Sequence, residues 1–152
     1  MIGRILAVLA FFIAASAGAQ GTTETVDFTL SRHYGYPGVL CRLAVTASKT
    51  GGQASLLCGP FAEDAPNRQR TRTLTPEESL ELRRLYEASL LFAGGHTGTD
   101  FTASDGVFEF LIVRGVRAVV LVTSGNPTFQ SGPRKDLLNW LHRQEAALRK
   151  SG

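Results

Sequence analysis

Cysteine, histidine and clustered carboxylates are the side chains best suited to chemistry, and this chain holds few of the first two. There are two cysteines, Cys41 and Cys58, and three histidines, His33, His96 and His142. No His-x-x-x-His or His-Glu-x-x-His spacing occurs, which excludes a zincin site. His96, Asp100 and Asp105 fall in one stretch. Their spacing suits a solvated, turn-forming loop better than a metal shell. Ser104-Asp105-Gly106 and Thr123-Ser124-Gly125 lack the Gly-x-Ser-x-Gly frame of a nucleophile elbow. Residues 94–98 are glycine-rich but carry no lysine and follow a helical pattern, so a phosphate loop is not expected. No carboxylate pair stands out locally, although carboxylates distant in sequence could meet in the fold. No catalytic, metal-binding or cofactor-binding residue is assigned, no cofactor is expected, and the protein is read as a non-enzyme.

Two features carry more. The even cysteine count and the separation of Cys41 from Cys58 favour one disulfide, provided the chain works in an oxidising compartment. Aromatic residues in turns are poor core material but supply contact area at low entropic cost. Tyr34, Tyr36 and Pro37 in the first turn, and Phe129 in a later loop, are therefore the candidate partner-binding residues. The competing reading is that these rings fold back over the sheet.

The compartment is read from the N-terminus. Arg4 supplies a positive start, residues 5–15 are apolar without a break, and Ala17-Gly18-Ala19 offers a small-residue cleavage site. A signal peptide over residues 1–19 is expected, with Gln20 opening the mature chain. The apolar run is shorter than the roughly 20 residues a bilayer span needs, so no membrane anchor is expected after its removal. Residues 20–152 form a single exported domain, periplasmic or secreted. Without Arg4 the mature part has fifteen basic and thirteen acidic residues. That balance argues against a nucleic-acid partner.

These residues need elements to position them. Val26, Phe28 and Leu30 alternate with Asp27, Thr29 and Ser31, the period of a half-buried strand. Val39, Cys41, Leu43, Val45 and Ala47 line one face of a second strand. A turn at residues 48–51 returns the chain as a third strand and sets Cys41 opposite Cys58. Residues 59–74, with two prolines and Arg68, Arg70 and Arg72, read as a solvated connector. Thr75-Pro76-Glu77-Glu78 is a helix start with a capping box. Leu82, Leu85, Tyr86, Ser89 and Ala93 share a face of that helix, which Gly94-Gly95 is expected to end. Residues 107–113 and 116–123 read as a hairpin about Arg114-Gly115, pairing Phe110 with Val119 and Phe108 with Leu121. Apolar on both faces, these strands are expected at the sheet centre or covered on both sides. Pro133 opens a last helix whose stripe is Leu137, Trp140, Leu141 and Leu148. The order β-β-β-α-β-β-α predicts an α+β fold: an antiparallel sheet of about five strands with two helices packed on one face.

The order of signals resembles that of emfourin-type inhibitors of thermolysin-like metalloproteases. The residues concerned are Gly35 and Gly38 after the first strand and the Leu74 to Glu78 helix start. Asp105 before the aromatic strand of Phe108 and Phe110 follows, then Leu137, Leu138 and Leu141 in the final helix. The resemblance covers most of the mature chain and implies a small binding domain that faces a protease. It transfers no inhibitory residue. The signal peptide, the cysteine pair and the connector at residues 59–74 depart from the family pattern. Three functions stay open: an exported protein-binding module of protease-inhibitor type, a small-ligand-binding or envelope structural domain, and a hydrolase with an unrecognised site.

Overall fold

The alternation of apolar and polar residues builds the sheet. The computed structural model describes residues 24–33, 39–60, 68–91, 108–115 and 118–151. The expected signal peptide, Tyr34, Tyr36, Pro37, His96, Asp100 and Asp105 lie outside these. Six strands form: β1 (Thr25–His33), β2 (Val39–Ser48), β3 (Gly52–Pro60), β4 (Arg68–Leu74), β5 (Phe108–Arg114) and β6 (Ala118–Val122). Two helices, α1 (Pro76–Ser89) and α2 (Gly132–Lys150), complete the α+β fold, with a short 3-10 turn at Pro127–Phe129. The sheet order is β4-β3-β2-β1-β5-β6, and every pairing is antiparallel.

One face of the sheet is the core. Val26, Phe28 and Leu30 of β1, Leu43, Val45 and Ala47 of β2, Ala54 and Leu56 of β3, and Leu111 and Val113 of β5 are buried on it. Both helices pack on this side, with Leu82, Tyr86, Leu137, Trp140, Leu141 and Leu148 turned inward. The Tyr86 ring meets Phe28 edge-on at 5.8 Å. Trp140 Nε1 donates to Glu81 Oε2 at 3.1 Å and ties the helices together. Among the described residues no helix is long and apolar enough to cross a membrane.

The β2–β3 turn falls where expected. Ser48 N–H donates to the Gly51 carbonyl, and a side chain at Gly52 would place a Cβ 2.1 Å from the Thr46 carbonyl oxygen. The resulting register sets Cys41 against Cys58, and the two are joined in a disulfide. Thr75 caps α1 as the sequence predicts: Glu78 N–H donates to Thr75 Oγ1, and Thr75 N–H to Glu78 Oε2.

Four expectations need correction. First, the connector contains β4, so the sheet has six strands. Arg70 and Arg72 lie on its core face, where Arg70 Nη1 donates to the Leu148 and Arg149 carbonyls at the end of α2 and Arg72 pairs with Glu78. Their stems lie along the sheet while their heads find acceptors, so a charge run here is compatible with a strand. Second, α1 ends at Ser89, before Gly94-Gly95. Leu90 takes a left-handed conformation with φ 53°, and Arg134 Nε donates to the Ser89 carbonyl. Side chains from elsewhere thus satisfy the helix end that glycine was expected to serve. Third, the β5–β6 register is Phe110 with Val122 and Val113 with Val119. The closing pair is Arg114 with Ala118, a longer connection than the expected two residues. The odd shift moves Val119 to the core face and leaves Phe110 on the other. Fourth, β6 is an edge strand, and Val120 is 63% exposed.

Candidate functional site

Beyond the apolar row Leu111–Leu30–Leu43–Leu56, the next row on the core face is Glu109–Arg32–Cys41–Cys58–Arg68. The strand period brings Glu109, Arg32, Cys41 and Cys58 to the helix side, so a charged band and a disulfide stand at one end of the core. The second helix lies over the band. Its His142, Glu145 and Arg149 are three and four residues apart and share one side.

The groups bind one another closely. Arg32 donates from Nε and Nη2 to Glu109 Oε2, at 3.1 and 2.7 Å, and from Nη1 to Glu145 Oε1 at 3.3 Å. Thr123 Oγ1 donates to Glu109 Oε1 at 2.6 Å, and His142 Nε2 stands 2.8 Å from Glu109 Oε2. Arg149 donates from Nε and Nη2 to Glu145 Oε1, at 3.0 and 2.7 Å, and Nη2 also reaches Cys41 Sγ at 3.1 Å. Glu109 and Glu145 are 7% and 4% exposed. Carboxylates so buried persist as ions only when multiply bonded. Burial pushes the Glu109 carboxyl up, but hydrogen bonds from His142, Thr123 and Arg32 outweigh it and hold the group at about 2. An ionised Glu109 only accepts, so Nε2 of His142 carries the hydrogen in this contact.

A carboxylate that orients an imidazole is half of a nucleophilic triad. Among the described residues the hydroxyl that reaches this pair, Thr123 Oγ1, donates to Glu109 itself. Among the described residues no group of three or more histidine, cysteine, aspartate or glutamate residues could hold a metal ion. What the band does chemically is keep the Glu109 carboxylate ionised in the core, bind Glu145 to two arginines and place a guanidinium against a disulfide sulfur.

Among the described residues the opposite face of the sheet carries no helix. Its β2–β3 part is polar, with exposed Arg42, Thr46 and Gln53. Its β5–β6 corner is apolar: Phe110, Ile112 and Val122 are half-buried and Val120 is exposed. The two edges differ as well. β4 bears Arg68, Arg70 and Arg72, whereas β6 is Ala-Val-Val-Leu-Val without a charge or a proline.

The sequence-predicted residues are placed as follows. Cys41 and Cys58 are bonded. The Tyr34, Tyr36 and Pro37 segment lies outside the described residues. Phe129, expected at a partner surface, is 5% exposed within the core cluster. A ring so covered offers a partner almost no area and is not carried further as a contact. Sequence reasoning missed Arg32, Glu109, Glu145 and Arg149 as a group, and found for His142 only that it lies in no zincin spacing. The phase Val26, Phe28, Leu30, Arg32 and the spacing of His142, Glu145 and Arg149 were the signals that could have found them. No protein-family model matches the chain, and neither a curated protein nor a solved structure matches it.

Proposed function

We propose that this is an exported protein-binding module whose contact surface is the sheet face opposite α1 and α2 at the β5–β6 corner. The observation that carries the reading is Val120, 63% exposed at the centre of an uncharged edge strand. Exposed strand edges are ordinarily guarded by charge, proline or a bulge, since their free backbone groups invite another strand. β4 has such a guard in its arginines, and β6 has none. An edge of this kind suits strand addition, in which main-chain bonds give affinity and alternate side chains give selectivity. The Cys41–Cys58 disulfide supports export, because such bonds persist in oxidising compartments. The resemblance to emfourin-type inhibitors supplies the partner class, a thermolysin-like metalloprotease.

The test is a titration of the folded domain into a thermolysin-like protease, with Val120→Lys in parallel. Inhibition by the parent that weakens more than about tenfold in the variant, about 1.4 kcal/mol, is the expected result. Absence of inhibition would remove the protease from the proposal. Photo-crosslinking from position 120 then decides the surface. Adducts with another exported protein that are missing from position 53 support it, and equal or absent adducts at both positions sink it.

A further inference from the structure

We infer that the Cys41–Cys58 bond is a thiol-exchange site, in which an external thiolate attacks Cys58 and Cys41 departs as a thiolate held by Arg149. The two sulfurs sit in different surroundings. Cys58 is partly exposed, whereas Cys41 is 2% exposed. A nucleophile from solvent therefore meets Cys58 first, and attack in line with the bond expels the Cys41 sulfur. Arg149 Nη2 already stands 3.1 Å from that sulfur, fixed by its bonds to Glu145. A cation beside a sulfur favours its thiolate, and a more stable thiolate leaves faster.

The charged groups around the pair come from every neighbouring element. Arg32 of β1 is opposite Cys41, and Arg68 of β4 is opposite Cys58. Arg70 of β4 caps the end of α2, while Glu109 of β5 and Glu145 and His142 of α2 engage Arg32 directly or through Glu109. The reactant is a small thiol that can reach the partly exposed Cys58 sulfur as its thiolate. In the first step the thiolate RS⁻ forms an RS–S bond to Cys58, the protein S–S bond breaks, and its electron pair goes to Cys41. A second thiolate then takes RS from Cys58, giving the oxidised RS–SR and a Cys58 thiolate. Two thiols are oxidised for each protein disulfide reduced. The hairpin ladder from Val39 with Pro60 to Ala47 with Gly52 holds β2 and β3 paired throughout.

Glutathione is the probe. Folded, oxidised protein is exposed to reduced glutathione, quenched with acid and mapped by peptide mass. The mixed disulfide is expected on Cys58 with Cys41 free; an adduct on Cys41, or an equal division, overturns the assignment. Arg149→Gln is expected to slow loss of the disulfide by about threefold or more while circular dichroism is unchanged. An unchanged rate overturns the role of Arg149. In a Cys58→Ser background, the ultraviolet absorbance of the Cys41 thiolate is expected to appear at higher pH with Arg149→Gln than without it. Coincident titrations overturn it too. Reduction that proceeds only as fast as global unfolding, followed across a denaturant series, marks the bond as purely structural and overturns the whole proposal.

Discussion

Glu109→Gln removes one charge from the buried band and leaves its volume almost unchanged. The amide oxygen can still accept from Arg32 and His142, but the charge that Arg32 pairs with is gone and the amide nitrogen replaces an acceptor beside Thr123 Oγ1, in a site shielded from water. The magnitude follows from the titration of the native group. Holding a carboxyl at about 2 against an ordinary 4.5 corresponds to about 3 kcal/mol of stability. Breaking a buried ion pair by deleting one partner costs about 3 to 5 kcal/mol. Arg32 keeps Glu145, which places the expected loss near about 3 kcal/mol. The sign with pH is set by the direction of the shift. Glu109 is lowered, so its contribution is complete above about pH 4.5 and is lost as pH falls through about 2. Parent and variant should therefore differ most near neutral pH and converge in strong acid. Urea denaturation of both proteins at a series of pH values measures this. A variant within about 1 kcal/mol of the parent at neutral pH, or a gap that persists undiminished in strong acid, would refute the account of the band.

Thr75→Ala should cost about 1 kcal/mol through loss of the α1 cap. Glu78→Ala, which the sequence alone expects to cost less, should match it, because Glu78 also pairs with Arg72; denaturation midpoints of the two variants check this. Phe129→Ala should destabilise by about 3 kcal/mol, read as a lowered denaturation midpoint, because it empties a core position. If the turn at residues 34–37 joins the β5–β6 corner in the contact, Tyr34→Ala combined with Tyr36→Ala should leave thermal stability nearly unchanged and weaken partner capture by more than about tenfold. Retained capture in a stably folded double variant excludes that turn from the contact.

Much of the local structure was legible because its causes are local. The Thr75 to Glu78 start needs only four consecutive residues to close its hydrogen bonds. The Cys41–Cys58 register follows from a short turn and a period of two. The inward residues of β1, β2 and α2 follow from apolar spacing, and the α+β class from the order of elements. The misreadings share a different cause. Residues 68–74 carry arginines whose acceptors lie in α1 and at the far end of α2, so nothing nearby in sequence marks them as a strand. Phe129 sits among turn residues, yet α2 packs against its 3-10 turn and the ring is buried.

The sequence by itself determined the α1 N-cap, the β2–β3 turn, the phases of β1 and β2 and the disulfide, because each depends on a few covalently adjacent residues and their preferred dihedral angles. Tertiary structure alone decided the sheet order, the identity of the open edge and the charged band. Arg32, Glu109 and Glu145 come together only because β1 lies between β2 and β5 and α2 crosses above them. That proximity is set by which strands pair and which face the helices cover, a global competition for burial that no short window of residues contains.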